Sequence, residues 1–387
     1  MAFSGLSSNK LFTPNLVGED ISDVIRTLAP YEAPFLDWLG DADVFAGSTK
    51  HEYIEDFMRP RYIINSTAIA SDTAATLFRV NGLGEALTVG TLLENESAAP
   101  ELMQVTSIVG ANTIGVSRVY DGAAAAGSLA AGGSLFVRWP AAEEGHEHSG
   151  AHTARLGNRK SNTVGYFSVE IATTGTQIAL NQLGGDSYER ARAKVFGEIP
   201  GLLESEVLRG VWNSTNSLGT STATRTMRGL RLEISSPSTG VPINSTVAAS
   251  SFAASPHTYI GNLWESVFQA GASSSEDWGI VAGRTFFRDI SNMNDTKVQD
   301  SNRTELFKRV VREYEGPFGM ATVFLSRALP ATELLLVPKQ RVKVVALNGR
   351  SFAYQEMGRT GDNTKGMVVG EYTVEAHHAA AMGRLRV

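Results

Sequence analysis

The sequence predicts an α+β protein, and three observations lead there. Four apolar runs bounded by Pro and Gly close the chain, at 320–325, 333–337, 342–347 and 367–375, and read as strands. One long stretch, 186–212, repeats Val195, Ile199, Leu203 and Val207 at the helical period. Between 76 and 139, short apolar segments alternate with Gly- and Asn-bearing turns, the pattern of a small barrel or sandwich.

In chain order, residues 1–18 mix Ser, Asn and Gly without a period and read as an arm. Ile21, Val24, Ile25 and Leu28 then predict a helix over 19–28, which Pro30 ends, and 33–40 a further short helical turn. Residues 51–57 alternate as a strand and 65–75 are small and polar, which suits a thin ribbon; a ribbon has too little core to hold itself. Strands of the module are expected at 77–80, 92–93, 101–108, 113–119 and 134–139, with 110–112 as a hairpin turn, and another strand at 164–171.

In the long helix Ser187 is the expected cap, and Pro200 should kink or divide it. Residues 213–226 and 236–256 read as loops. Helices are expected at 258–269, with Ile260, Leu263, Val267 and Phe268 inward, and at 286–293, with Phe287 and Ile290 inward; 278–282 is a buried strand, and 305–314 fits helix or strand. A polar turn at 359–365 places Asp362 where it can accept backbone or Arg hydrogen bonds. Glu371, beside Gly370 among the apolar residues of the last strand, must be paired, because a lone buried carboxylate is costly.

Composition narrows the functional classes. A chain of 387 residues can bury a full core. A net charge of -6 without a basic stripe argues against a protein that grips nucleic-acid phosphates. The absence of cysteine removes disulfides, thiolate metal sites and a cysteine nucleophile. No signal peptide is evident and the apolar runs are too short to span a bilayer, so the expected place of synthesis and use is the cytoplasm.

No catalytic, cofactor-binding or metal motif stands out. There is no nucleophile elbow, paired-His zinc helix or phosphate-cradling loop. Glu143, Glu144, His146, Glu147, His148 and His152 lie close in sequence, but match no helical zinc spacing and sit among Gly, Ser and Ala, so a solvated loop is expected. The following Arg155, Arg159 and Lys160 suggest a salt-bridged turn.

Several segments together carry a resemblance: E-Y-E-G-P-F-G at 313–319, L-L-L-V-P-K at 334–339, T-G-D-N-T-K at 360–365, V-G-E-Y-T-V-E at 369–375, and E-D-I-S-D-V-I-R-T-L-A-P-Y-E-A-P-F-L-D-W-L-G at 19–40. In order and spacing they resemble the major capsid proteins of tailed phages with the Johnson fold, in the group of the podophage SU-ten. The resemblance implies an N-terminal arm and first helix (1–45), an extended β-loop carrying the inserted module (46–172, module about 76–139), the peripheral-domain spine helix (173–235), an axial domain (236–350) and a return to the peripheral domain (351–387).

It implies further a non-enzymatic shell subunit that assembles with itself into hexamers and pentamers in the host cytoplasm. The resulting virion capsid encloses double-stranded DNA that it contacts only weakly. Portal protein is an implied partner, with scaffold and decoration proteins as further candidates; no membrane and no cofactor is called for. The early helix implies a mature chain close to full length. Asp362 and Glu371, in the region where subunits of different capsomers meet, are the candidate assembly contacts. Competing readings are an encapsulin-like nanocompartment shell and another virion β-protein, the latter opposed by the long helix and the late mixed sheet.

Overall fold

A computed structural model describes residues 32–40, 44–56, 61–65, 67–68, 76–79, 87–95, 101–110, 113–118, 120, 129, 131, 133–140, 158–180, 186–213, 224–237, 243–293, 313–359 and 361–387. The expected arm, the helix at 19–28 and most of 305–314 lie outside them. In chain order the elements are α1 (Pro34–Leu39), β1 (Lys50–Glu55), β2 (Tyr62–Ile64), β3 (Thr76–Arg79), β4 (Thr91–Asn95), β5 (Glu101–Gly110), β6 (Thr113–Ser117), β7 (Ser134–Pro140), β8 (Asn158–Thr163) and β9 (Gly165–Thr174). There follow α2 (Gly175–Ala179), α3 (Ser187–Arg209), α4 (Leu230–Ser235), β10 (Ile243–Thr246), α5 (Ala249–Ala254), α6 (Pro256–Gln269), β11 (Trp278–Ala282), α7 (Arg284–Ser291), β12 (Glu313–Gly316) and β13 (Gly319–Leu325). The chain closes with β14 (Glu333–Pro338), β15 (Val342–Ala346), β16 (Ala353–Met357), β17 (Asn363–Ala376) and β18 (Gly383–Arg386). The mixed α+β class is the expected one.

Two sheets make the body. A six-stranded mixed sheet runs β10-β18-β14-β11-β13-β12. Its central strands β11 and β14 are buried at every position, because alternate residues feed two different cores. Ile280, Leu334 and Leu336 pack with α5, α6 and α7, whereas Val281, Leu335 and Val337 pack with Phe35 of α1, Leu208 of α3 and Ile234 of α4. Burial on both faces explains the unbroken apolar runs in these strands.

The second sheet is built on β17, which pairs with β9 from Asn363↔Thr174 to Tyr372↔Gly165, with β16 from Lys365 to Val369, and with β15 from Tyr372 to Ala376. Ile171 of β9, Val368 of β17 and Tyr188 and Ile199 of α3 form its separate core. After β17, the short crossover His377–Met382, with a 3-10 turn at Ala379–Ala381, delivers β18 to the first sheet.

A two-stranded ribbon, β1 antiparallel to β8, leads toward a third sheet of order β2-β7-β4-β5-β6-β3. This sheet, the module hereafter, has its own core of Ile63, Leu93, Met103, Val105, Ile114, Val116 and Leu135. It begins earlier than expected, because Tyr62–Ile64 pairs with β7 and sends Ile63 inward.

Other local expectations are corrected. Asp186, rather than Ser187, caps α3, accepting the Tyr188 N–H at 2.9 Å. Pro200 does not divide that helix; it sits exposed, so the carbonyl it leaves without an N–H faces the solvent side. Phe268 is exposed and stacks on Phe318, while Trp264 takes the inward place. Phe286 is the buried aromatic of α7, with Phe287 packed at the margin. Residues 363–365 belong to β17 rather than to the turn, and β10, α5, β16 and β18 were not anticipated. Gly210 and Gly229 mark a close crossing: a Cβ on Gly229 would lie 2.5 Å from the Gly210 nitrogen, which only paired glycines allow.

Candidate assembly site

The ribbon leaves the body at a buried polar junction. In β1 the side chains alternate, so that Tyr53 and Glu55 face the body while Lys50, Glu52 and Ile54 face out. The Tyr53 hydroxyl donates to the Ala376 carbonyl and accepts the Ala376 N–H, both at 3.3 Å. Glu55 accepts the His378 N–H at 2.7 Å and lies 3.2 Å from the Lys160 ammonium. His51 bonds to one oxygen of Glu375, and His377 to the other at 3.2 Å. From β8, Asn162 donates to the carbonyls of Val374 (2.8 Å) and Arg228 (2.9 Å) and accepts the Arg228 N–H. The ribbon thus grips the end of β17 and the start of the crossover, residue after residue.

Behind the junction, Glu233 of α4 pairs with Arg228 at 3.0 Å and with Lys160 at 3.9 Å. Burial pushes the Glu233 carboxyl up, and the Glu55 charge adds to this, while Arg228 and Lys160 oppose it. The hydrogen bonds from His377 and His51 hold Glu375 down at about 2. Burial lowers the proton affinity of His378, the single non-glycine residue at positive φ (53°) among the described residues. Bonded along both strands of the ribbon, the junction supplies rigidity.

Of the two sequence-predicted contact residues, Glu371 is buried and doubly paired, as its setting required. Arg350 donates to it through Nε at 2.9 Å, and Arg225 reaches its other oxygen. Its backbone also holds the turn after β15, donating to the Arg350 carbonyl and accepting the Leu347 N–H. Asp362 stands apart, exposed at the start of β17, with its carbonyl accepting the Gly175 N–H at 3.0 Å. The structure does not bring the two together.

Sequence reasoning missed Glu55, Tyr53 and Glu233. The one signal was the charge at Arg159 and Lys160, where a salt-bridged turn was expected; both residues lie instead on strand β8, Arg159 pairing with Glu52 at 3.3 Å and Lys160 with Glu55 and Glu233. The Glu143 to His152 cluster lies outside the described residues. Among the described residues no group of three His, Asp or Glu is placed to hold a metal ion, and no helix is long and apolar enough to cross a membrane. Large apolar side chains left at the surface include Phe45, Ile54, Leu180, Val211 and Met320. They are scattered singly and form no one contact patch among the described residues.

The family model of the SU10 major capsid protein matches residues 5–387. No curated protein matches the chain significantly. Among solved structures, the capsid of an empty GTA particle is similar at 8% identity, with 98% of this chain and 97% of that chain covered and a TM-score of 0.49. The capsid of the cyanophage P-SCSP1u is similar at 10% identity, 62% and 78% coverage and a TM-score of 0.43. The virus-like particle from Pyrococcus furiosus is similar at 15% identity, 60% and 80% coverage and a TM-score of 0.38. The family assignment rests on the sequence match.

Proposed function

The chain belongs to the SU10 major capsid protein family, and from that membership we propose how it builds the head shell. Copies associate into hexamers and pentamers that close into an icosahedral head around double-stranded DNA, assembled in the host cytoplasm. Portal protein fills one vertex, and scaffold and decoration proteins are further partners. The observation that supports this reading is the ribbon: both its strands are bonded to the body along their length, and the module it leads to has a core that shares no residue with the body's cores. A subunit built this way carries a separately cored unit that a neighbouring copy can meet.

In the same reading, 1–45 acts as an arm, 46–172 as the extended loop with its module, 173–235 as the spine-helix region, 236–350 as the axial domain and 351–387 as the return to the peripheral domain. Asp362 and Glu371 act near the contact between capsomers, Asp362 directly and Glu371 by fixing the turn that Arg350 belongs to. Closed symmetry lets many modest contacts add up without any single strong one. The inner surface meets packaged DNA weakly, consistent with the net charge of -6.

Expression of the chain followed by gradient sedimentation and electron microscopy tests this. Closed shells or capsomers are expected. A sharp monomer at high concentration would overturn the reading, and shells that retain host protein rather than DNA would favour a nanocompartment.

A further inference from the structure

We infer that an exposed apolar face on the first half of α3 is the seat of residues 19–28 of the same chain. The side of α3 that meets α1 is periodic along the helix. Ala193, Phe196, Gly197 and Pro200 recur at i, i+3, i+4 and i+7, and Glu204, Val207 and Leu208 continue the same row. Among the described residues α1 covers the second half of that row. Phe35 and Leu39 share a core with Val207 and Leu208, and Glu204 accepts the N–H groups that open α1. Along the first half Ala193, Phe196, Gly197 and Pro200 are all exposed, Phe196 by 39%, and a Cβ built on Gly197 would meet no atom within 4 Å. A covered helix face thus runs on into an uncovered one.

The path of the chain selects the occupant. The start of α1 is held at Glu204, about one turn beyond Pro200, so residues 1–31, which lie outside the described residues, lead into the body at the end of the exposed row. Within them Ile21, Val24, Ile25 and Leu28 stand at the same i, i+3, i+4, i+7 spacing. Two rows of equal length can face each other, Ile21 over Ala193, Ile25 over Gly197 and Leu28 over Pro200, with the open space at Gly197 taking the branched Ile25 side chain. In that register Asp20 falls beside Arg190 and Lys194, which border the row on one side. The link is long enough. From Leu28 to Ala33 the chain reaches up to about 17 Å when extended, and Pro200 lies about 6 Å from Glu204 along the helix.

The chain has no cysteine, so pairs can be introduced into the full-length protein without removing native thiols. Ile21→Cys with Ala193→Cys, and Ile25→Cys with Gly197→Cys, should each form a disulfide under mild oxidation and run as a monomer of altered mobility on a non-reducing denaturing gel. Ile25→Cys with Leu202→Cys, on the other side of α3 and 45% exposed, should form none. A disulfide-linked dimer from the facing pairs would place the segment on the α3 of another copy and overturn the same-chain seat, and so would the absence of a bond in both. Phe196→Asp gives a second reading that needs no disulfide. Amide exchange of peptides covering 19–32 should rise at least about tenfold while β11 and β14 stay protected. Unchanged exchange in 19–32 would overturn the seat. A bond within one chain needs no assembly, so these results do not bear on whether the chain builds shells.

Discussion

The carboxylate of Glu204, in the second half of α3, accepts the backbone N–H of Phe35 at 2.9 Å, across 169 positions of sequence. It accepts the Leu36 N–H as well, and the Ser326 hydroxyl at 2.7 Å. Ala33 precedes α1 with no capping side chain, so Glu204 supplies the missing acceptor from a distant helix and fixes where the N-terminal segment enters the body.

Burial raises the proton affinity of Glu204, and its three hydrogen bonds only partly offset this. A carboxyl raised in the folded state contributes stability at low pH that is lost as pH rises through its folded value. At neutral pH an uncharged acceptor should therefore serve nearly as well. Glu204→Gln should unfold in urea within about 1 kcal/mol of the unaltered protein at pH 7, while Glu204→Ala, which strands two N–H groups and a hydroxyl, should lose about 2–4 kcal/mol.

Glu375 works in the opposite direction. Its folded value of about 2 lies below the ordinary 4.5. The stability it contributes is full above pH 4.5 and is lost as pH falls toward 2, an effect on the order of 3 kcal/mol. Denaturation curves from pH 7 to pH 2 should show Glu375→Gln less stable than the unaltered chain at the upper end, with the two converging at the lower end. A gap that stayed constant across the range would mean that the two histidines do not act on Glu375 as described.

Glu371→Ala removes the shared partner of Arg225 and Arg350. Arg350 can turn to solvent, but Arg225 is more enclosed, its side chain only 16% exposed. A loss of about 3 kcal/mol in subunit stability is expected, together with reduced particle yield. Ending the chain after Gly366 removes most of β17 and all of β18, and with them a partner strand from each body sheet. Circular dichroism should then report an unfolded body. Normal shells from that truncated chain would contradict the central place of β17.

Strands whose two faces both meet apolar cores were legible from the sequence: W-G-I-V-A of β11 and E-L-L-L-V-P of β14 announce themselves. β18 was not, because G-R-L-R hides a buried Arg384 whose partners are distant: Glu333, 51 positions away, and the Ser235 hydroxyl. β16 is an edge strand with mostly exposed side chains, so A-Y-Q-E-M has no apolar period to read. The ribbon junction escaped for a related reason. Lys160 sits beside exposed Arg159, and nothing in N-R-K-S-N-T says which cation is enclosed until Glu55 and Glu233 are brought to it by the fold. Long-range ion pairs leave no local period, whereas burial of a strand or helix face does.

The module offers a test of how independent its fold is. Arg118 pairs bidentately with Glu101, through Nε at 2.7 Å and the second guanidinium nitrogen at 2.5 Å, and the two side chains are 0% and 2% exposed. Glu101 holds the arginine in its charged form. Removing one partner of such a pair leaves an uncompensated buried charge, whereas replacing both with apolar residues of similar size is often neutral. Glu101→Ala should therefore cost the module about 3–5 kcal/mol, and Glu101→Leu with Arg118→Met should recover most of that. Because the module's core is separate from the body's, amide exchange should rise in peptides covering 91–117 of Glu101→Ala while the buried strands β11 and β14 stay protected. If β11 and β14 lost protection in step, ribbon, module and body would be one cooperative unit, and the module could not act as a separately folded unit that meets a neighbouring copy.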